Sequence, residues 1–297
     1  MPRRICATIV ISEELTSLVW SGLRVGAIGG LLGIAIVLCF RSTRILNLAV
    51  GAFYLVGAFM YSGLTGAGIP VGLALVLAAF VGVVAGLVEE RVVLRPLRNA
   101  RPFTKILATL GFAIVISGLI VVIEGKQPVS APSLVGGGWT LAGTSIAFQG
   151  VALVAFAVLT GVSLHLWSTR TATGQATIAI SDDDDAAMML GINVEALRIG
   201  SYGLAGGLSA LAGVLGIPLF LSDFSSGVPL SLSAFVAAMI GGGLSVIGEL
   251  AGGIAVGVTV ALLMRVFSAS FSEMLISLLL IAVVLFAARF PAFQKLQ

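Results

Sequence analysis

Apolar residues run along the chain in long stretches separated by short polar ones: Leu15–Phe40, Leu46–Leu64, Pro70–Val88, Phe103–Ile123, Ile146–Trp167, Leu197–Phe220, Leu230–Ile240, Val246–Phe267 and Met274–Ala288. Most approach the roughly 20 residues that carry an α-helix across hydrocarbon. None shows the alternating segments of about ten residues that build a membrane β-barrel. Hydrocarbon offers backbone groups no partner, so each stretch must pair its own N–H and C=O groups as a helix. The pattern predicts an all-α, polytopic transmembrane helical bundle with about eight or nine membrane segments. Leu230–Ile240 is too short to span alone, and is expected either as a half-helix or merged with its neighbour around Gly241, Gly242 and Gly243.

Composition removes the soluble alternative. Of 297 residues, 59% are apolar and 10% charged, against roughly 25% charged in soluble domains. So few charges cannot supply a polar shell, whereas lipid removes the need for one. Residues 1–297 are read as a single transmembrane domain. Cys6 and Cys39 imply no disulfide framework and are expected to be reduced. Arg3 and Arg4 before a short apolar run give Met1–Ile11 the outline of a signal peptide. Ser12, Glu13 and Glu14 interrupt it without a cleavage site, so it is expected to be retained. A net charge of +3 and the lack of an aromatic-interleaved basic patch give no expectation of nucleic-acid binding.

Basic residues orient the bundle. Arg41 and Arg44 occupy one short loop; Arg91, Arg95, Arg98, Arg101 and Lys105 occupy another, two spans later. The two loops share a side, which the positive-inside rule assigns to the cytoplasm. Val129–Ser145 then lies outside and Ser168–Glu195 inside. Glycines recur at helical spacing (Gly22, Gly26, Gly29, Gly33; Gly203, Gly206, Gly213; Gly248, Gly252, Gly257). They permit close helix approach, either for packing or for a glycine-lined path. Arg24, inside the first segment, is expected to snorkel outward or to face a polar cavity. Glu249 and Arg265 suit the start and end of one helix, and His165 beside Trp167 reads as interfacial.

The polar exception is the inside segment 168–195. Ser181 is followed by Asp182, Asp183, Asp184 and Asp185, then by Met188, Met189 and Leu190, and Gly191 closes the run. Ser181 as N-cap with Asp184 three residues on approximates a capping box, the acids favour a helix N-terminus, and Gly191 can end the helix left-handed. A helix of about nine residues over Ser181–Gly191, acidic first and apolar last, suits docking onto a partner or the membrane surface. A solvated charge run is the plainer alternative. A metal site is disfavoured because consecutive acids lack calcium-loop spacing. No Gly-x-x-x-x-Gly-Lys-Ser/Thr phosphate loop, metalloprotease motif or intramembrane nucleophile set is present. No catalytic residues, metal or cofactor are therefore expected.

Four stretches together resemble the permease family of ABC importers for branched-chain amino acids. Asn47-Leu-Ala-Val-Gly51-Ala-Phe-Tyr54-Leu-Val-Gly57 is similar to the family's Asn-x-Ala-x-Gly-x-x-Tyr-x-x-Gly. Glu90-Arg91-Val-Val-Leu-Arg95-Pro96-Leu-Arg98 is similar to its Glu-Arg-x-x-x-Arg-Pro-x-Arg. Leu190-Gly191-Ile192-Asn193 and Ile240-Gly-Gly-Gly-Leu-Ser245-Val-Ile-Gly248-Glu-Leu-Ala-Gly-Gly253 complete the set, in register over about residues 15–290. The chain departs from the pattern at Gln175 and Ile178, where arginines are usual, at Ala52, and at Ile247.

The resemblance implies a permease subunit of an ATP-driven importer, for branched-chain or other small amino acids, in the bacterial plasma or inner membrane. It implies as partners a second permease subunit (homo- or heterodimer), two cytoplasmic ATP-binding subunits, an extracytoplasmic substrate-binding protein and membrane lipid. Ser181, Asp182, Asp183, Asp184, Asp185, Met188, Met189, Leu190 and Gly191 then correspond to the element coupling to the ATPases. Asn47, Gly51, Tyr54 and Gly242 are implied for the substrate path. A stand-alone secondary transporter or channel is the alternative.

Overall fold

The computed structural model describes the backbone of residues 2–141, 144–242, 245–266 and 278, and side-chain surroundings from Thr16 to Leu263. Among the described residues ten helices follow one another: α1 Pro2–Thr43, α2 Val50–Gly66, α3 Val71–Val88, α4 Pro102–Glu124, α5 Phe148–Arg170, α6 Ala172–Asp182, α7 Asp184–Met189, α8 Val194–Gly216, α9 Gly227–Ile240 and α10 Val246–Val266. Six helical stretches among the described residues are long and apolar enough to cross a membrane: Thr16–Thr43, Val71–Leu94, Pro102–Glu124, Phe148–Arg170, Val194–Gly216 and Val246–Leu263. α2 and α9 are apolar but shorter. The shortness read for the seventh segment is thus observed. α9 does not merge with α10, because Gly241 and Gly242 make a turn in which Gly242 takes φ +91°. Met274–Ala288, Arg289, Pro291 and Lys295 lie outside the described residues, apart from the backbone of Leu278, as does Gly243. Arg265 lies within the described part of α10, which stops at Val266, and its side chain is outside the described residues.

Sequence punctuation sets the helix ends. Pro102 opens α4, where its missing N–H costs no bond. Gly125 ends it at φ +87°. α3 does not stop at Val88: Glu89–Leu94 continue it as a π-helical turn, and Arg95 N–H reaches back to Glu90 O at 2.8 Å. One element lies outside the all-α expectation. Gly138–Leu141 (β1) pairs antiparallel with Thr144–Ala147 (β2) in the loop between α4 and α5. Trp139 stands edge-on to Phe148 with ring centroids 5.3 Å apart.

α1 and α8 form the interior and are buried over most of their apolar length, whereas α3, α4 and α5 are largely exposed. α2 joins them, buried from Val50 to Phe59 and at Tyr61. The outer helices turn Phe80, Leu119, Val122 and Leu159 outward, a lipid-facing surface that a soluble protein would not leave open. The interior rests on small residues. A Cβ at Gly26 would lie 2.7 Å from Ile254 Cα and 2.8 Å from Gly253 O, so α1 and α10 meet backbone to backbone. Gly82 and Gly206 bring α3 onto α8, and Gly57 and Gly213 bring α2 onto α8. Dispersion at such short separations drives helix association where lipid matches side chains in polarity.

The N-terminal end of α9 is held by Asp223. Its Oδ1 accepts from the N–H and hydroxyl of both Ser225 and Ser226, at 2.7–2.9 Å. Partial burial opposes the charged form, but these four bonds outweigh it and hold the carboxyl below the ordinary aspartate value of 3.8. A depressed folded pKa contributes stability that is present above 3.8 and lost as pH falls through the lower folded value. Asp223→Asn is therefore expected to lower stability at pH 7 and to lose this part of the acid sensitivity, read from thermal melts of the detergent-solubilised protein between neutral and acid pH.

Candidate functional site: the acidic helices and their ties to the bundle

The acidic segment does not form one helix capped by Ser181. α6 runs to Asp182, and Ser181 lies inside it with Oγ donating to Ile178 O at 2.7 Å. The break falls at Asp183, whose backbone is extended (φ −155°, ψ 112°). Asp183 Oδ1 accepts from Asp185 N–H at 2.9 Å and Ala186 N–H at 3.0 Å, so Asp183 is the cap of α7. The physical reason is polarity. Asp182 already sits at the negative end of α6, and further acids there are unfavourable, whereas Asp184 and Asp185 in the first turn of a new helix meet its positive end. Asp183→Ala is expected to cost about 1 kcal/mol of local stability, seen as faster proteolysis between α6 and α7 with membrane insertion unchanged.

The far end of α7 matches the sequence reading. Gly191 adopts φ +80°, Gly191 N–H reaches Met188 O at 3.0 Å and Ile192 N–H reaches Ala187 O at 3.1 Å. This is a Schellman-type stop with a left-handed glycine. Ala187 is buried with Ile180 and Val194, against Ile192 and Leu197, which fixes the angle between α6, α7 and α8. Turned away from that small core, Met188 is 53%, Met189 89% and Leu190 79% exposed. The result is a rigidly mounted apolar tip beside an acidic first turn.

The tip is tied to the bundle by the basic loops, which do lie on one face with it. Arg198 of α8 pairs with Asp184, and its Nε donates to Ser42 O at the end of α1 at 2.9 Å. Arg44, left-handed at φ +53°, donates to Asp182 O at 2.9 Å. Glu195 meets Arg95 at 2.8 Å and Arg98 at 3.7 Å, and Arg98 also approaches Glu90 at 3.6 Å.

The residues expected on a substrate path sit elsewhere. Asn47 is fully buried, and its Nδ2 donates to Glu89 Oε2 at 2.7 Å while its Oδ1 accepts from Ala49 N–H at 2.7 Å. Gly51 N–H donates to Ser231 Oγ at 2.9 Å, bringing α2 against α9. Tyr54 is buried against Gly213 and Gly216 of α8. Gly242 is in the open α9–α10 turn, with nothing near its Cβ position. Asn47, Gly51 and Tyr54 thus follow one another around the start of α2, and Gly242 lies in the turn after α9. A groove of about 200 Å³ between α1, α9 and α10 is lined instead by Val25, Gly29, Pro229, Ser233 and Gly257 among others.

Arg24 neither faces this groove nor extends freely. It is half-buried against Gly150 at the start of α5, with its guanidinium 5.6 Å from the centroid of the Phe220 ring. Glu249, in the first turn of α10 as expected, is fully buried against Gly33. Sequence reading missed Glu89. Beside Glu90 and Arg91 it looks like a loop charge, yet it is fully buried, and its Oε1 has no hydrogen-bond partner among the described residues. Among the described residues no group of three His, Cys, Asp or Glu side chains is placed to hold a metal.

Similarity to known proteins follows this architecture over nearly its whole length. The chain is 27% identical over 282 residues to the high-affinity branched-chain amino acid transport system permease protein LivH of Escherichia coli K12, covering 90% of this chain and 91% of that one. It is 26% identical over 281 residues to BraD, the corresponding permease protein of Pseudomonas aeruginosa, covering 90% and 92%. The ribose import permease protein RbsC of Bacillus subtilis is 29% identical over 227 residues, 74% of this chain and 66% of that one. A solved structure, PsaBC from Streptococcus pneumoniae in complex with Fab, shares the fold with a TM-score of 0.54 at 13% identity, covering 98% of each chain. Residues 18–284 match the permease component of the branched-chain amino acid transport system, and the chain belongs to that family as a multi-pass protein of the bacterial plasma or inner membrane.

Proposed function

We propose that the chain is one half of the membrane pathway of an ATP-driven importer for branched-chain or other small amino acids. Separate cytoplasmic ATPases power it, and an extracytoplasmic binding protein supplies the substrate. Residues 1–297 act as a single permease domain, paired with a second permease subunit. The observation that carries this reading is the α7 tip. Three consecutive apolar side chains, Met188, Met189 and Leu190, project from the cytoplasmic face on a short helix capped at both ends and tied to α1 and α8. An apolar tip on a stiff mount suits insertion into a groove on a partner, with flexible methionines adapting to its shape. Asp184 and Asp185 beside it add a charged rim. Family membership supports the ATPase as the partner, and the names of LivH and BraD support the substrate class.

The mechanism follows from stiffness. Closure of an ATPase pair around nucleotide moves whatever is docked in its groove. α7 cannot absorb that movement, because its cap, its Schellman stop and the Ile180–Ala187–Val194 core fix it to α6 and α8. The motion therefore passes into the spans. Copurification from native membranes tests the assignment: ATP-binding subunits are expected with the chain, and a binding protein whose extracted ligand is an amino acid. A ligand such as a pentose would keep the importer and overturn the substrate. Recovery of the chain with no ATP-binding subunit would overturn the importer.

A further inference from the structure

We infer that Glu89 is a positioning residue that carries motion of the docking helices into the central helix α2, through its hydrogen bond with Asn47. The inference rests on the docking role proposed for α7. Besides the ties made by Arg44 and Arg198, a second set of links joins the docking helices to the bundle. These links, made by Arg95, Arg98 and Glu195, are part-exposed, and Arg95 and Glu195 are each 40% exposed. Water screens such pairs, so they are soft. They end, however, on the π-helical turn Glu89–Leu94, through Glu90. The neighbouring Glu89 points inward from the same turn and is fully buried. Its bond from Asn47, at 2.7 Å, is the one hydrogen bond its carboxyl group makes among the described residues.

Asn47 cannot yield. Its Oδ1 is held by Ala49 N–H, immediately before α2 begins at Val50, and its Nδ2 also lies 3.6 Å from Cys39 Sγ near the end of α1. A shift of the π-helical turn therefore moves the start of α2 or breaks a buried bond that water cannot replace. Single-turn π segments inside α-helices recur where a helix must change register locally, and this one lies between the soft cytoplasmic ties and the stiff buried one. α2, buried over most of its length against α8 and α9, receives that motion at the bundle interior.

The test uses the complete importer in liposomes, with tritiated leucine uptake and ATP hydrolysis measured together. Glu89→Ala is expected to leave ATPase copurification intact and to raise the ATP hydrolysed per leucine imported by at least about fivefold, the lower range of energetic coupling between sites. Glu89→Gln, which keeps an acceptor for Asn47, is expected to restore the ratio to within about twofold. The double variant Glu89→Ala, Asn47→Ala is expected to be no worse than Glu89→Ala alone. Should Glu89→Ala not reach the membrane, Asn47→Ser, too short to reach Glu89, reads the same ratio. An unchanged ratio in Glu89→Ala or Asn47→Ser overturns the inference. So does a ratio equally raised in Glu89→Gln. Failure of the α7 docking role would show separately, as ATPase copurification insensitive to replacement of Met189.

Discussion

Met189→Glu is expected to reduce ATP-driven uptake by at least about tenfold, and to release the ATPases from the chain on purification. The magnitude follows from desolvation. A methionine at the centre of an apolar interface is exchanged for a carboxylate that must be buried without a partner, and loss of one such central contact costs about 2 kcal/mol or more, well beyond a factor of ten in affinity. Met189 separates docking from folding unusually well. At 89% exposed it stands outside the core around Ala187, so the variant should reach the membrane and melt like the parent. Asp184 is a poorer probe, because its pairing with Arg198 mixes docking with attachment of α7 to α8. A Met189→Glu chain that keeps its ATPases and imports normally would remove α7 from the coupling role.

Gly257→Leu is expected to be the most damaging replacement inside the bundle. Any Cβ there would meet the backbone N and Cα of Gly26 and the carbonyl oxygen of Gly22. No flexible side chain stands on the facing side to move away. The helices must part, and α1 and α10 lose the short-range contacts that hold them together in lipid. The cost is about 3 kcal/mol or more, the upper range of overpacking. Purified protein should melt on the order of 10 °C lower, with little chain surviving in membranes. Gly111→Leu is the matched control: nothing lies within 4 Å of that Cβ position, and α4 faces outward there, so the same side chain should be tolerated. Equal losses from both replacements would show that glycine matters for helix geometry rather than for the α1–α10 contact.

How much of this was legible in the sequence differs from residue to residue. Helix positions were readable because lipid imposes one solution on every apolar run, and the left-handed stop at Gly191 was readable because few other residues tolerate it. The cap of α7 was not. Four identical aspartates offer four registers, and Asp183 is selected by helix-end polarity together with the packing of Ile180, Ala187 and Val194. Glu89 was hidden for a different reason. Its neighbours make it look like the edge of a basic loop, and its burial depends on the π-helical turn that rotates it inward. The β1–β2 hairpin was invisible because its strands are four residues each, and glycines at 136–138 read as loop. The family resemblance rested on the motifs around Asn47 and Glu90, but their contacts reveal what motif matching does not: the two stretches touch, through Asn47 and Glu89.

The central claim is that this chain forms half of a pathway powered by other subunits. Uptake of tritiated leucine into liposomes tests it most directly, comparing the purified chain alone under proton and sodium gradients with the chain assembled with its ATPases, second permease subunit and binding protein. The account predicts import only by the assembly, only with ATP, and none by the chain alone under either gradient. Gradient-driven import by the chain alone would contradict it and make the protein a self-sufficient transporter.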